Sequence, residues 1–178
     1  MWIDQIPHCA LTVHPTTMEQ VVRVESAGNP LTVQVNGLAA DRQPKPQTTA
    51  EAVAEAHHWV DLGYSVDLGL TEINSRNLAA LHTTIEQILG TSAAAECANL
   101  AGGAEILTAD YGAAVARFGP GQSALLAALS AYNTGTFDAG FRNGYVARYV
   151  TVPSIGASQT PKISAVTVKR HASDTEVW

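Results

Sequence analysis

Charge is scarce in this 178-residue chain. Asp, Glu, Lys and Arg make up 15% of it, where globular chains carry about 25%. The shortage falls hardest on the positive side, with 10 Lys and Arg against 16 Asp and Glu and a net charge of −6. Without a basic cluster there is no electrostatic footprint for nucleic acid or an anionic membrane surface, and both partners are excluded. No apolar run approaches the roughly 20 residues that cross a bilayer. The start, Met1-Trp2-Ile3-Asp4-Gln5, has neither the basic nor the apolar region of an export signal. It fits a cytoplasmic protein or one whose signal has been removed. A hydrophobic content of 46% argues against disorder throughout, and one domain is the default at this length.

Ligand patterns are missing as well. The six histidines include His57 and His58, which as neighbours fall on different faces of a helix, and neither a His-Glu-x-x-His nor a paired-cysteine pattern occurs. No metal site and no cofactor are expected. A phosphate-cradling glycine loop, a Gly-x-Ser-x-Gly elbow and any internal repeat are also lacking. Cysteine is limited to Cys9 and Cys97, compatible with one disulfide or with two buried thiols. Joined, they would close a loop of roughly 90 residues, which the chain-entropy model credits with about 4 to 5 kcal/mol, and would imply an oxidising compartment.

What is present is mostly helical. Thr16 with Glu19 and Thr17 with Gln20 have capping-box spacing ahead of Val21-Val22 and predict a helix ending at Ala27-Gly28. Asn29-Pro30 forces a turn, and Leu31–Val35 alternates as a short strand before the hairpin-type pair Asn36-Gly37. Asp41–Pro46 is a proline-broken loop, after which Thr48 or Thr49 caps a helix running to Leu62 with Gly63 as its C′ residue. Tyr64–Ser75 reads as irregular. Helices are expected near 84–89, 93–118, 121–133 and 141–150, with Gly102-Gly103 and Gly119-Pro120 as interruptions. From Thr151 the composition turns to Pro, Ser, Thr, Gln and Lys, and 153–178 reads as a flexible tail.

One carboxylate breaks the pattern of the first helix. Met18, Val21 and Val22 form an i, i+3, i+4 apolar stripe whose next position is Glu25. Desolvation and the negative end of the helix dipole both disfavour its charged form, which makes Glu25 a candidate proton donor. The turn expected over Ser26–Pro30 would leave the carboxyl at the mouth of a cleft, with Ser26 placed to hydrogen-bond beside it. The competing reading is a frayed helix end with Glu25 turned into water.

Two further segments carry polar groups in apolar frames. Asp67-Leu-Gly-Leu-Thr-Glu-Ile-Asn74 places Asp67, Glu72 and Asn74 on a glycine-containing loop, either a binding loop or a structural turn held by its own Asp and Asn. Ser130-Ala-Tyr-Asn-Thr-Gly135 ends a helix that buries Leu125, Leu126 and Leu129. Asn133 before a glycine is an ordinary helix terminus, but with Tyr132 and the later Asn143-Gly-Tyr145 it supplies the amide and aromatic groups that hold sugar rings.

Taken in order, Val24-Glu-Ser-Ala-Gly-Asn-Pro30, Gly69-Leu-Thr-Glu-Ile-Asn74 and Ala131-Tyr-Asn-Thr-Gly135 resemble the signature of the soluble lytic transglycosylases. More narrowly, the chain is similar to the small enzymes that accompany type IV secretion and conjugation machines. Each segment is weak alone and specific in combination, and the likeness covers about residues 5–150. It implies a lysozyme-like, mostly helical α+β single domain over 1–152 with a small β-hairpin region.

The resemblance also implies a reaction. Glu25 would protonate the glycosidic oxygen between N-acetylmuramic acid and N-acetylglucosamine, then take the proton of the muramoyl 6-hydroxyl as it closes on the anomeric carbon. No water is consumed, and the product is a 1,6-anhydromuramoyl end. The 2-acetamido group would supply the stabilisation that a second carboxylate gives in ordinary glycosidases. Ser26 would steady the glutamate, Glu72, Asn74, Tyr132 and Asn133 would contact substrate, and Tyr145 matches a tyrosine near the acid. Cys9 and Cys97 match positions bridged in the secretion-associated branch. The implied setting is the periplasm, with the export signal taken as trimmed, and the implied partners are peptidoglycan strands and secretion or conjugation proteins, met by a monomer.

Glu72 departs from that pattern, which has Gln there, and stands beside Thr71 where Met is frequent. A second carboxylate would raise the pKa of Glu25 by like-charge repulsion, position water for hydrolysis, be a silent isostere, or mark lost activity. The alternatives to a transglycosylase are therefore a lysozyme-type hydrolase and a peptidoglycan-binding or assembly module without turnover.

Overall fold

A computed structural model describes residues 1–150. In chain order they form α1 (Trp2–Cys9), α2 (Pro15–Glu25), β1 (Val33–Val35), α3 (Thr49–Asp61), β2 (Val66–Leu68), β3 (Ile73–Asn74), α4 (Ile85–Ile88), α5 (Ala93–Phe118), α6 (Gln122–Thr134) and α7 (Ala139–Arg142). Single 3-10 turns lie at Ala40–Arg42, Ser75–Asn77 and Val146–Tyr149. Helix dominates and the sheet is small, which is the expected mostly helical α+β class. The tail expected over 153–178 lies outside the described residues.

The described residues group into two units, one of Met1–Ala10 with Val21–Gly103, the other of Leu11–Gln20 with 104–150. In the first, the strands form one antiparallel sheet in the order β1-β2-β3, with Val33 opposite Leu68, Val35 opposite Val66 and Asp67 opposite Asn74. Val33, Val35, Val66 and Leu68 are buried, as the two-residue period of a strand with one covered face requires. Helix α3 packs on β1, β2 and α4. Its ends are the expected ones: Thr48 Oγ1 accepts from the Glu51 N–H at 3.2 Å, and the chain leaves through Gly63 at φ 87°.

Within this unit Cys9 and Cys97 are joined, with their α-carbons 5.2 Å apart, inside the range a disulfide bridges. Other features depart from the expected layout. Asn36-Gly37 does not close a hairpin, because β1 pairs beyond α3 with β2 and the Asn36 N–H bonds Ser65 O at 2.9 Å. The stretch read as irregular, Tyr64–Ser75, contains β2 and β3. Helix α1 went unforeseen because it spans only two turns and contains Pro7, which argues against helix on sequence grounds.

The Gly102-Gly103 pair does not interrupt α5. A β-carbon at Gly102 would lie 2.7 Å from Ile73 Cδ1, and one at Gly103 would lie 2.5 Å from Thr71 Oγ1. These glycines permit close approach rather than a bend.

In the second unit α6 buries Leu125, Ala128, Leu129, Ser130 and Ala131 and packs against α7 and the Val146–Tyr149 turn. It ends on Gly135 at φ 71°. The expected break between α5 and α6 is present, at Gly119 and Gly121 with φ 76° and 126°. The helix expected over 141–150 is instead two short pieces separated by Gly144 at φ 83°, since a left-handed residue cannot continue a right-handed helix. Ser130 ties the first of these pieces and the loop before it to α6, its hydroxyl donating to Thr136 O at 2.7 Å and accepting from the Gly140 N–H at 2.8 Å.

Candidate active site

The stripe read from the sequence is realised in α2. Met18, Val21 and Val22 are wholly buried, and Glu25, the last helical residue, is half-buried. Ala27 (φ 54°) and Gly28 (φ 83°) then adopt left-handed conformations in succession, which reverses the chain directly after the carboxylate. The Asn29 N–H closes the turn on Ser26 O at 3.1 Å, and Asn29 Oδ1 accepts from the Leu31 N–H at 3.0 Å. Gly28 lies against the indole of Trp2, where a β-carbon would stand 2.8 Å from Nε1.

Ser26 joins this turn to the second predicted segment. Its buried hydroxyl donates to Leu70 O at 2.7 Å and accepts from the Gly28 N–H at 3.2 Å. The hydroxyl thereby holds the turn that follows the glutamate. Leu70 sits in the reversal between β2 and β3, which begins at Gly69 (φ 73°) and closes with the Glu72 N–H on Gly69 O at 3.3 Å. Glu72 itself is half-buried and left-handed at φ 49°. The structure thus brings Glu25, Ser26 and the Leu70–Glu72 loop together.

Asn74, on β3, is half-buried and bonded within the strand pair. Its Nδ2 donates to Asp67 Oδ1 at 2.6 Å and to Ser65 Oγ at 2.9 Å, and its Oδ1 accepts from the Arg76 N–H at 3.0 Å. Asn36 donates to the other Asp67 oxygen at 2.8 Å. Burial raises the Asp67 pKa, and the amides of Asn36 and Asn74 partly offset that rise by stabilising the carboxylate. Through these bonds Asn74 props the strand pair, and its Oδ1 keeps capacity for one further donor.

In the second unit the remaining candidates form a chain. Asn133, exposed at the end of α6, accepts from Asn143 Nδ2 at 3.2 Å, and Asn143 Oδ1 accepts from the Tyr145 N–H at 2.9 Å. The buried Tyr145 shares a 2.7 Å hydrogen bond with the Tyr149 hydroxyl and lies 5.3 Å from that ring, with the Arg148 guanidinium 5.7 Å from its own centroid. Tyr132 is half-buried one position before Asn133.

Asn99 in α5 went unread in the sequence and is wholly buried. The available signal was a lone amide in a helical run of small and apolar residues, three and four positions before Gly102 and Gly103. Among the described residues no three His, Cys, Asp or Glu side chains converge as a metal site. The two adjacent histidines diverge, His57 bonding Glu86 at 2.6 Å and His58 meeting Trp59 edge-on at 5.3 Å. No helix is long and apolar enough to cross a membrane among these residues.

A half-buried carboxylate at the end of an apolar helix face, followed by a rigidly held turn, suits proton transfer to a bound ligand. A family model described as Transglycosylase SLT domain matches residues 5–149. The chain belongs to this family. Relatives of this SLT domain include Protein virB1 of Rhizobium radiobacter, 36% identical over 143 residues, or 80% of this chain and 56% of that protein. Type IV secretion system protein virB1 of Brucella abortus biovar 1 (strain 9-941) is 37% identical over 135 residues, 75% of this chain and 54% of that protein. The chain thus spans about half the length of the curated relatives it matches. No solved structure gives a significant match.

Proposed function

We propose that this SLT domain is a peptidoglycan lytic transglycosylase that opens the wall for a type IV secretion or conjugation apparatus, acting in the periplasm. The observation that carries the reading is Glu25, set half-buried at the end of the α2 stripe and followed by a turn bonded to the Leu70 loop. Its carboxyl protonates the glycosidic oxygen as the C1–O4 bond of the muramoyl residue breaks. The resulting carboxylate takes the proton of the 6-hydroxyl as O6 bonds C1, which restores the acid and releases an anhydro end. Tyr132, Asn133 and Tyr145 contribute saccharide contacts, while Ser26 and Asn74 act by holding backbone.

Digestion of murein sacculi followed by mass spectrometry of the released sugar ends tests this. Ends lighter by one water than reducing ends are expected from the wild type and none from Glu25→Gln; reducing ends from a Glu25-dependent reaction would reject the transglycosylase step. Glu72 favours a second reading, hydrolysis, because it adds a carboxylate to the loop bonded to Ser26. The same analysis separates the two, and saccharide binding without turnover would mark an assembly module.

A further inference from the structure

The side chain of Asn99 is wholly buried and uses its full hydrogen-bonding capacity on two separate pieces of chain, Leu68–Thr71 and Ile88. Its Nδ2 donates to Leu68 O at 2.9 Å and to Ile88 O at 3.1 Å, while its Oδ1 accepts from the Thr71 N–H at 2.9 Å and from Thr71 Oγ1 at 2.8 Å. A buried amide is tolerated only when satisfied in this way, and losing one partner leaves the others exposed to a full desolvation cost.

The residues it grips matter more than their number. Leu68 O and Thr71 N bracket a span of just two residues, Gly69 and Leu70, and Leu70 O is the acceptor for the Ser26 hydroxyl. Gly69 is pressed against the same amide, since a β-carbon there would lie 2.3 Å from Asn99 Nδ2. With both ends of so short a span fixed, the direction of the Leu70 carbonyl is fixed too. The continuous path runs from Asn99 to the Leu68–Thr71 backbone, to Leu70 O, to Ser26 Oγ, to the Gly28 N–H and so to the turn that follows Glu25.

We infer that Asn99 is a positioning residue for Glu25, setting the carboxyl through the Leu70 carbonyl and the Ser26 hydroxyl. The inference rests on the reading of Glu25 as the acid. Asn99→Asp keeps the shape and the acceptors while removing both donors, so the Leu68 end of the span is released. Displacement of a catalytic group by about 1 Å costs on the order of a hundredfold in rate. The expected result is a kcat on soluble glycan fragments lower by about ten- to a hundredfold, with KM within about twofold, at temperatures where the variant is folded.

Two readouts separate positioning from a merely structural role. The Gly28 amide resonance, which reports its bond to Ser26 Oγ, should move in Asn99→Asp, and the kcat penalty of Asn99→Asp should shrink when Ser26 is already Ala. An unmoved Gly28 resonance, an unchanged kcat, or penalties that multiply in the double variant would overturn the inference. Thr71→Val removes one of the four bonds and carries the same measurements if Asn99→Asp does not fold. Turnover by Glu25→Gln would overturn the acid reading itself, and the Gly28 shift, which needs no turnover, would still report whether the path exists.

Discussion

Ser26 Oγ donates to Leu70 O at 2.7 Å, joining positions 44 apart in the chain. The bond connects the residue after Glu25 to the loop that carries Glu72, so two segments that look independent in the sequence form one piece of structure. Ser26→Ala leaves the Leu70 carbonyl and the Gly28 amide without this partner. A stability loss of about 1 to 3 kcal/mol is expected from urea unfolding, and a neutral substitution would show that the bond does not hold the turn.

Glu25→Gln should fold as the wild type does, because the amide has the same shape and remains at a half-buried helix end. Activity on sacculi should fall by at least about 10² to 10⁴-fold, the usual contribution of a general acid and base. Circular dichroism paired with product analysis checks both parts.

Replacing both cysteines by serine removes the tie between Cys9 and Cys97, 88 residues apart. The chain-entropy model puts the loss at about 4 to 5 kcal/mol. A reductant should lower the melting temperature of the wild type and leave that of the double variant unchanged.

Burial alone pushes the Asp110 carboxyl from 3.8 up to about 6. The folded state therefore holds the proton more tightly than the unfolded chain, so the contribution to stability is complete below the unfolded value and is lost as pH rises through about 6. At neutral pH the charged form is a cost. Asp110→Asn should stabilise by about 1 to 2 kcal/mol at pH 7 after allowance for solvent screening, with the gain fading near pH 4. Equal gains at both pH values would contradict the assignment of burial as the cause.

Glu72→Gln removes a charge without changing the side-chain length or the left-handed backbone at φ 49°. Stability should stay within about 0.5 kcal/mol, and anhydro ends should persist. A switch from reducing to anhydro ends would instead assign water activation to Glu72.

Where local chemistry decides structure, the sequence was legible. Thr48 caps α3, Gly63 follows it, α5 spans 93–118 as its composition indicates, and the Met18, Val21, Val22 stripe leads to a half-buried Glu25. Partners distant in the chain were not legible. Asn36-Gly37 has hairpin chemistry, yet β1 finds its partner past α3, because pairing of buried strands outweighs the preference of a dipeptide. Gly102 and Gly103 look like a helix break and are a contact surface. Asn74 and Asn99 carry the same amide, and only the fold tells which bonds each one makes.

The tight contact between Gly103 and Thr71 makes the two positions a single steric unit. A methyl group gained at one has to be surrendered at the other, so tolerated sequences should vary at this pair in a size-compensating way. A library randomised at both sites and sorted for folding would be enriched in small-with-large combinations and depleted of large-with-large ones. Engineering that enlarges Gly103 alone would fail where the same change paired with a smaller residue at 71 succeeds.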